Sequence, residues 1–274
     1  MENDRRQEYL VAGLTAVALA ATILLVQRLV EPGLDDRVML VPQEPITVFP
    51  DFASIQDVDV KKQQFFDYLQ DYVDAQNAKV AEQRLVLLDY ASVVKAGGNL
   101  SRTELAQLQE MADTYRLDLE GSALSVAQLI TALLRRVDVI PTSLVLAQAA
   151  NESAWGTSRF VLEGFNIFGQ WCFEEGCGIV PRRRAAGAIH EVKRFDNVQL
   201  AIESYFLNIN THYSYRFFRD LRSQMRNQER RLDALVLAFG LGRYSERGDN
   251  YIDEVQNIII QNGLTRRDSI HSPV

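Results

Sequence analysis

A carboxylate at the end of an otherwise apolar helix is a candidate proton donor, and residues 144–156, LVLAQAANESAWG, offer one in Glu152. Leu144, Val145, Ala147, Ala149 and Ala150 leave little of such a helix for water. Pro141 suits its first turn, where a missing N–H has no partner to lose. Gly156 is a natural stop, because glycine takes left-handed φ and ψ without a Cβ penalty. Glu152 then lies near a helix C-terminus, where unsatisfied carbonyls make the potential negative. That field, the apolar neighbour Trp155 and burial all favour the protonated carboxyl. A general acid that protonates a leaving glycosidic oxygen needs that form. The same pattern fits a solvated glutamate at a helix end, and it does not by itself choose between the two.

Other reactive types are sparse. Three histidines and two cysteines leave no cluster with zinc-site spacing, so neither metal nor cofactor is expected. His190 and His212 have no serine or cysteine nucleophile in a recognisable motif, and hydrogen-bonded structural roles suit both. Cys172 and Cys177 are spaced C-x4-C. In the cytosol they read as free thiols; outside it they are placed to close a short loop as a disulfide.

The elements around Glu152 follow from periodicity. Residues 57–79 repeat Phe65, Leu69, Tyr72 and Val73 at helical spacing, and a further helix is expected over 81–95, ending at Gly97-Gly98. Ser101-x-x-Glu104 and Ser125-x-x-Gln128 are capping-box starts for two more. Residues 164–190 break the pattern with five glycines. They read as a loop and a small β-hairpin lobe, roughly 178–183 against 188–195. Helices are then expected over 197–212 and 227–240, with a last one ending at Asn262 and Gly263. A lobe beside a helical core makes a cleft of the kind a polysaccharide needs.

At the other end, residues 9–27 carry no charge over nineteen positions, close to what crosses a bilayer core of about 30 Å. A cleaved secretory signal is the alternative, but the apolar run continues past the Ala-rich stretch 18–21. Arg5 and Arg6 point to a cytoplasmic N-terminus. The expectation is a single-pass inner-membrane protein with its body in the periplasm or cell exterior. Pro32, Pro42, Pro45 and Pro50 mark a linker away from the membrane. A net charge of −7 argues against non-specific nucleic-acid binding, and leaves the grip on any anionic polymer to shape and hydrogen bonds.

The string A-Q-A-A-N-E-S-A-W-G resembles the catalytic-helix signature of glycoside hydrolase family 73, in the lysozyme superfamily. Asn166-Ile167-Phe168-Gly169 is similar to that family's N-x-F-G motif, and the continuation through Cys172 and Cys177 to Pro181 resembles its bacterial Bax-type members. The likeness runs over about half the chain, 124–264. It implies a mainly α, lysozyme-like catalytic domain and an N-acetylglucosaminidase acting on the glycan strands of peptidoglycan, with Glu152 as general acid. Asn166, Phe168 and Gly169 would floor the cleft. Tyr244 and Tyr251 resemble the paired tyrosines of the family's Y-A-x-D-P-x-Y motif, although the spacing is one residue longer and the proline is missing. A second carboxylate is implied in the β-lobe, where Glu191 has the spacing and Glu174 and Glu175 suit an exposed turn.

The resulting organisation is a cytoplasmic start at 1–8, an anchor at 9–30, a linker at 31–52, a helical N-terminal region at 53–122, a glucosaminidase-like domain at 123–265 and a tail at 266–274. A muramidase or lytic transglycosylase is the rival within enzymes. A non-catalytic wall-binding or scaffold protein is the rival of another class.

Overall fold

Helix α1, Val58–Lys95, is one unbroken element of 38 residues where the periodicity suggests two. It contains neither glycine nor proline, so nothing in it ends a helix before Gly97, whose φ is +81°. Asp57 caps it by accepting the amides of Asp59 and Val60. Phe65, Phe66, Leu69, Val73, Val80 and Leu87 form its buried stripe. The structure, a computed structural model, describes residues 44–118, 124–182, 184 and 187–268. The apolar run 9–27 lies outside the described residues, and among the described residues no helix is long and apolar enough to cross a membrane.

The two capping boxes form as the sequence suggests. Ser101 and Glu104 open α2, Arg102–Thr114, and Ser125 and Gln128 open α3, Val126–Arg136. Helix α4, Thr142–Ser153, carries Glu152, and every residue of it except Asn151 and Glu152 is buried. Pro141 offers no side-chain cap, and the chain supplies one from far away. Asp268 accepts the Ser143 amide at 2.7 Å and its hydroxyl at 2.8 Å, placing a carboxylate at the positive end of the helix dipole. Asn77 of α1 pairs with both backbone groups of Ile140, and Asp74 accepts the Thr142 hydroxyl at 2.6 Å. The long helix therefore fixes where the acid helix begins.

Part of the proline-rich stretch is also engaged. Ile46 and Phe49 are buried, and the Ile46 amide donates to Gln199 Oε1 at 2.9 Å. A short 3₁₀ turn, Phe52–Ser54, follows and adds Phe52 to the same core.

After α4 come α5, Arg159–Gly164, then α6, Val198–Thr211, capped by Asn197 as its pattern indicates. The helix expected over 227–240 is not found. Instead α7, Arg216–Asn227, ends where that helix was to start, and only α8, Ala234–Ala238, and a 3₁₀ turn, Phe239–Leu241, follow. Helix α7 hides from a hydrophobic pattern because its buried face is Phe218, Arg219, Arg222 and Met225. Gly240 lets the turn press on it, for a Cβ there would lie 2.4 Å from the Phe218 Cα. The last helix, α9, is Asp249–Gln261.

The buried arginines are matched by one acid. Asp138, 2% exposed, meets Arg226 at 2.8 Å, Arg84 at 3.5 Å and Arg222 at 3.7 Å. Burial would raise its carboxyl, but Arg222, the hydrogen bond from Arg226 and Arg84 outweigh that and hold it below the usual range. The guanidinium of Arg222 also satisfies the carbonyls of Arg135, Arg136, Asp138 and Val139, closing the C-terminal end of α3.

The lobe is a three-stranded antiparallel sheet in the order β1-β3-β2: β1 Trp171–Cys172, β2 Gly178–Ile179 and β3 Glu191–Lys193. Pairing of Gly178 with Lys193 and Ile179 with Val192 is the expected hairpin. A strand not read from the sequence, β1, covers the other edge of β3 through Trp171–Val192 and Cys172–Glu191. Strands of two residues give no alternation to detect. The whole is mainly helical and fits a lysozyme-like domain with a small β-lobe.

Candidate active site

Glu152 is the penultimate residue of α4, and the chain turns sharply after it. Ala154, Trp155 and Gly156 have φ of +50°, +59° and +77°, three left-handed residues in succession. The two non-glycines cost on the order of 1 kcal/mol each. Packing holds them there: the Trp155 ring lies 5.3 Å from Phe66 and 6.0 Å from Phe65, edge to face, against α1. Gly156 fits between aromatic rings, where a Cβ would come within 2.7 Å of Phe49.

The Glu152 side chain is 19% exposed, and its two oxygens meet unlike neighbours. Oε1 is buried without a hydrogen bond, and the nearest cation, Arg247 Nη2, stands 4.0 Å away. Gly169, with φ of +63°, lies against the other oxygen: a Cβ there would sit 3.2 Å from Oε2. Tyr251 is hydrogen-bonded to the carboxyl. Burial raises Glu152 above the ordinary glutamate range; the Tyr251 bond and the Arg247 charge pull it back, and Glu254 pushes it up. A glutamic acid whose carboxyl is biased toward its protonated form beside a space left by glycine is suited to giving its proton to a bound oxygen.

Behind the acid runs a buried polar chain. Gln148 is one turn before Glu152, so both side chains leave the same face of α4. Its Nε2 donates to the Tyr251 hydroxyl at 2.8 Å, and its Oε1 accepts from Tyr205 at 2.5 Å. Tyr244 stacks on Tyr251 with centroids 5.4 Å apart and donates to the Phe168 carbonyl at 2.8 Å. Burial drives all three tyrosines well above their ordinary value, so they stay neutral donors. On the open side, Arg247 pairs with Glu254 and lies over the Tyr251 ring at 5.2 Å. Asn151 donates to the same Glu254 at 3.3 Å.

The residues singled out in the sequence separate into two groups. Glu152, Gly169 and Tyr251 meet at the acid, with Tyr244 stacked behind. Phe168 is 1% exposed and covered by Tyr205 at 4.1 Å, so its ring supports the site from within rather than offering a surface to sugar. Asn166, also 1% exposed, spends its amide on the Gln170 and Lys193 carbonyls and the Gln170 amide, which braces the loop against β3. Glu191 serves the lobe: its oxygens accept the Gly176 amide at 3.2 Å and the Gly178 amide at 2.8 Å, with Arg184 at 3.9 Å. Those two amide bonds hold its carboxyl below the usual range. The loop it ties down is closed by the Cys172–Cys177 disulfide. His212 caps a 3₁₀ turn by accepting the Ser214 amide.

Gln148, Tyr205, Arg247 and Glu254 were not anticipated. Gln148 left a signal, as a lone long amide in an apolar run one turn before the acid. Arg247 and Glu254 left none, since charged residues around a helix start are ordinary.

A partly enclosed glutamate with a raised carboxyl sits in a mainly helical fold with a small β-lobe, and comparison with known proteins supplies the class, a glycoside hydrolase. Residues 127–264 match the Glucosaminidase family model, described as mannosyl-glycoprotein endo-beta-N-acetylglucosaminidase. The chain is also similar to Protein bax of Escherichia coli (strain K12), 31% identical over 202 residues, which span 74% of this chain and 70% of that protein. The chain belongs to the glucosaminidase family, glycoside hydrolase family 73, among its Bax-type members.

Proposed function

We propose that the protein hydrolyses the β-1,4 bond after N-acetylglucosamine in peptidoglycan, with Glu152 as the general acid. The observation that carries this is a carboxyl pushed toward its protonated form, with Oε1 buried and without a hydrogen bond and Oε2 beside the space that Gly169 leaves. A glycosidic oxygen bound there takes the Glu152 proton as the C1–O bond breaks, which leaves positive charge on the sugar ring. Glu152 departs as a carboxylate, and Tyr251, itself oriented by Gln148, stabilises that charge by its hydrogen bond. Water then adds its oxygen to C1, and the proton it sheds restores the Glu152 acid. The lobe carboxylate Glu191 is committed to two backbone amides, so the far face of C1 falls to this water or to the substrate's own acetamido oxygen.

The apolar run 9–27 would anchor the chain in the inner membrane with the catalytic part outside the cytoplasm, and the disulfide suits that oxidising side. The test is digestion of purified peptidoglycan by the full chain and by Glu152→Gln, with mass analysis of reduced products. Fragments ending in reducing N-acetylglucosamine from wild type alone are expected. A 1,6-anhydro product would replace hydrolysis with lytic transglycosylation. Sedimentation with the sacculus and no product from either protein would replace it with a binding role.

A further inference from the structure

Gly169, against the acid, is followed by one bolted residue and then by an exposed one. Every polar atom of Gln170 is engaged. Its amide donates to Asn166 Oδ1, and its carbonyl accepts from Asn166 and from the Lys193 amide at 2.9 Å. Its side chain donates to the Ala201 carbonyl at 3.0 Å and accepts from the Ser204 hydroxyl at 2.8 Å. Gln170 thus points into the body at α6, and alternation along an extended segment sends the next side chain outward. That side chain is Trp171, an indole 50% exposed.

A large aromatic held this rigidly and left this open invites a ligand. Its backbone is paired with Val192, the Cys172–Cys177 disulfide begins at the next residue, and Glu191 locks the loop behind it. The His190 ring meets the indole at 4.3 Å and a steep angle, and half of the Trp171 surface stays open beside it. Phe173, just past the end of β1, is 68% exposed.

We propose that Trp171, backed by His190, is a sugar-stacking subsite for an N-acetylhexosamine ring next to the bond that Glu152 protonates; this rests on the glycan-hydrolase function proposed above. Continuity fixes the occupant. The Trp171 backbone is two residues from Gly169, at most about 7 Å away, so a ring on the indole is within reach of the same glycan strand bound at the acid. A pyranose with equatorial substituents shows an apolar face of axial C–H groups, which matches an indole face, and its rim hydroxyls match the imidazole. The neighbouring Glu174 and Glu175 and a net charge of −7 favour such an uncharged ring over an anionic ligand.

Two measurements on the full chain test this. In steady-state digestion of purified peptidoglycan, Trp171→Ala should raise KM about tenfold with kcat little changed, and Trp171→Phe should recover most of the loss. Separately, tryptophan emission is titrated with the N-acetylglucosamine tetramer in the Glu152→Gln background. The chain has two tryptophans, and the other, Trp155, is packed on Phe66 of α1. A blue shift that disappears in Glu152→Gln/Trp171→Phe is the expected result. An unchanged KM in Trp171→Ala, no shift, or a shift that survives Trp171→Phe overturns the subsite. If wild type degrades no peptidoglycan, the hydrolase function falls, and the titration still decides whether Trp171 binds sugar.

Discussion

Two glutamates, Glu152 and Glu191, flank the segment that runs from the helical core into the lobe, and the fold treats them in opposite ways. Glu152 ends a buried helix where carbonyls accumulate; one oxygen has no hydrogen bond, and burial raises the carboxyl. Glu191 sits in a short strand where two glycine amides converge on it, and they lower the carboxyl. The same side chain is biased toward its protonated form in one place and serves as a clamp in the other. What differs is the supply of N–H groups: a helix C-terminus presents none, whereas a glycine-rich disulfide loop presents several. Chemistry is kept where the backbone withholds bonds, and shape where it gives them.

Removing the acid proton should sharpen that contrast most. Glu152→Gln should lower turnover of peptidoglycan by about 10²- to 10⁴-fold, the usual range for a general acid, with the fold intact. Its stability should also rise in a pH-dependent way. Because the native carboxyl is raised, the wild-type fold prefers it protonated; that contribution is complete below the unfolded glutamate range and is lost as pH rises through the native value. The amide is neutral throughout. Melting temperatures of the two proteins should therefore converge in acid and diverge in favour of the variant toward neutral pH. A variant less stable than wild type at neutral pH would mean that the charged carboxylate is welcome in its site.

The lobe should respond in stability before it responds in catalysis. Replacing both cysteines by serine opens a loop of six residues, worth about 2 kcal/mol in the chain-entropy model. A lower urea midpoint, with turnover reduced far less than in Glu152→Gln, is expected. Glu191→Gln should loosen the same loop, since one amide N–H then faces a donor. Hydrogen exchange at Gly176 and Gly178 should quicken. In wild type the protection of these amides, relative to intrinsic exchange, should fall only in acid: a depressed carboxyl gives stability above the unfolded glutamate range that is lost as pH falls through the native value. If Glu191→Gln abolished turnover as fully as Glu152→Gln while exchange stayed slow, Glu191 would be a second catalytic carboxylate and the contrast would break.

How much of this was legible in the sequence follows the same division. The acid helix could be read because burial and a stop signal act locally, on Leu144 through Gly156. The capping boxes at Ser101 and Ser125 were equally local. Helix α1 was read as two because a helix without a breaker looks the same as two helices in register. Helix α7 was missed because Arg219 and Arg222 are buried against carbonyls and a distant Asp138, a match that exists only after folding. The site divides likewise. Glu152, Gly169 and Tyr251 carried local or family signals, whereas the Gln148–Tyr205 bond spans 57 residues and Asp268 reaches 125 residues back to cap the acid helix. Asn166 and Phe168 were placed on the cleft floor because their motif adjoins the acid, and proximity in sequence did not reveal that both face inward.

The smallest expected effect is also the finest probe of the acid. Arg247 stands between two carboxylates, paired with Glu254 and 4.0 Å from Glu152. The other groups that act on Glu152 are Tyr251, which donates to it, and the neutral tyrosines behind it. Arg247→Met removes a charge that lowers Glu152, so the alkaline limb of kcat/KM, where the acid loses its proton, should move to higher pH. Glu254→Gln removes a charge that raises Glu152 and also frees Arg247 to approach it, so the limb should move to lower pH. Arg247 is nearly half exposed, and both displacements should therefore be modest and should shrink in high salt. Opposite shifts from two neighbouring charges would identify the titrating group as Glu152. Shifts in the same direction, or a limb indifferent to both, would assign the alkaline loss to another residue and return Glu152 to the ordinary glutamates.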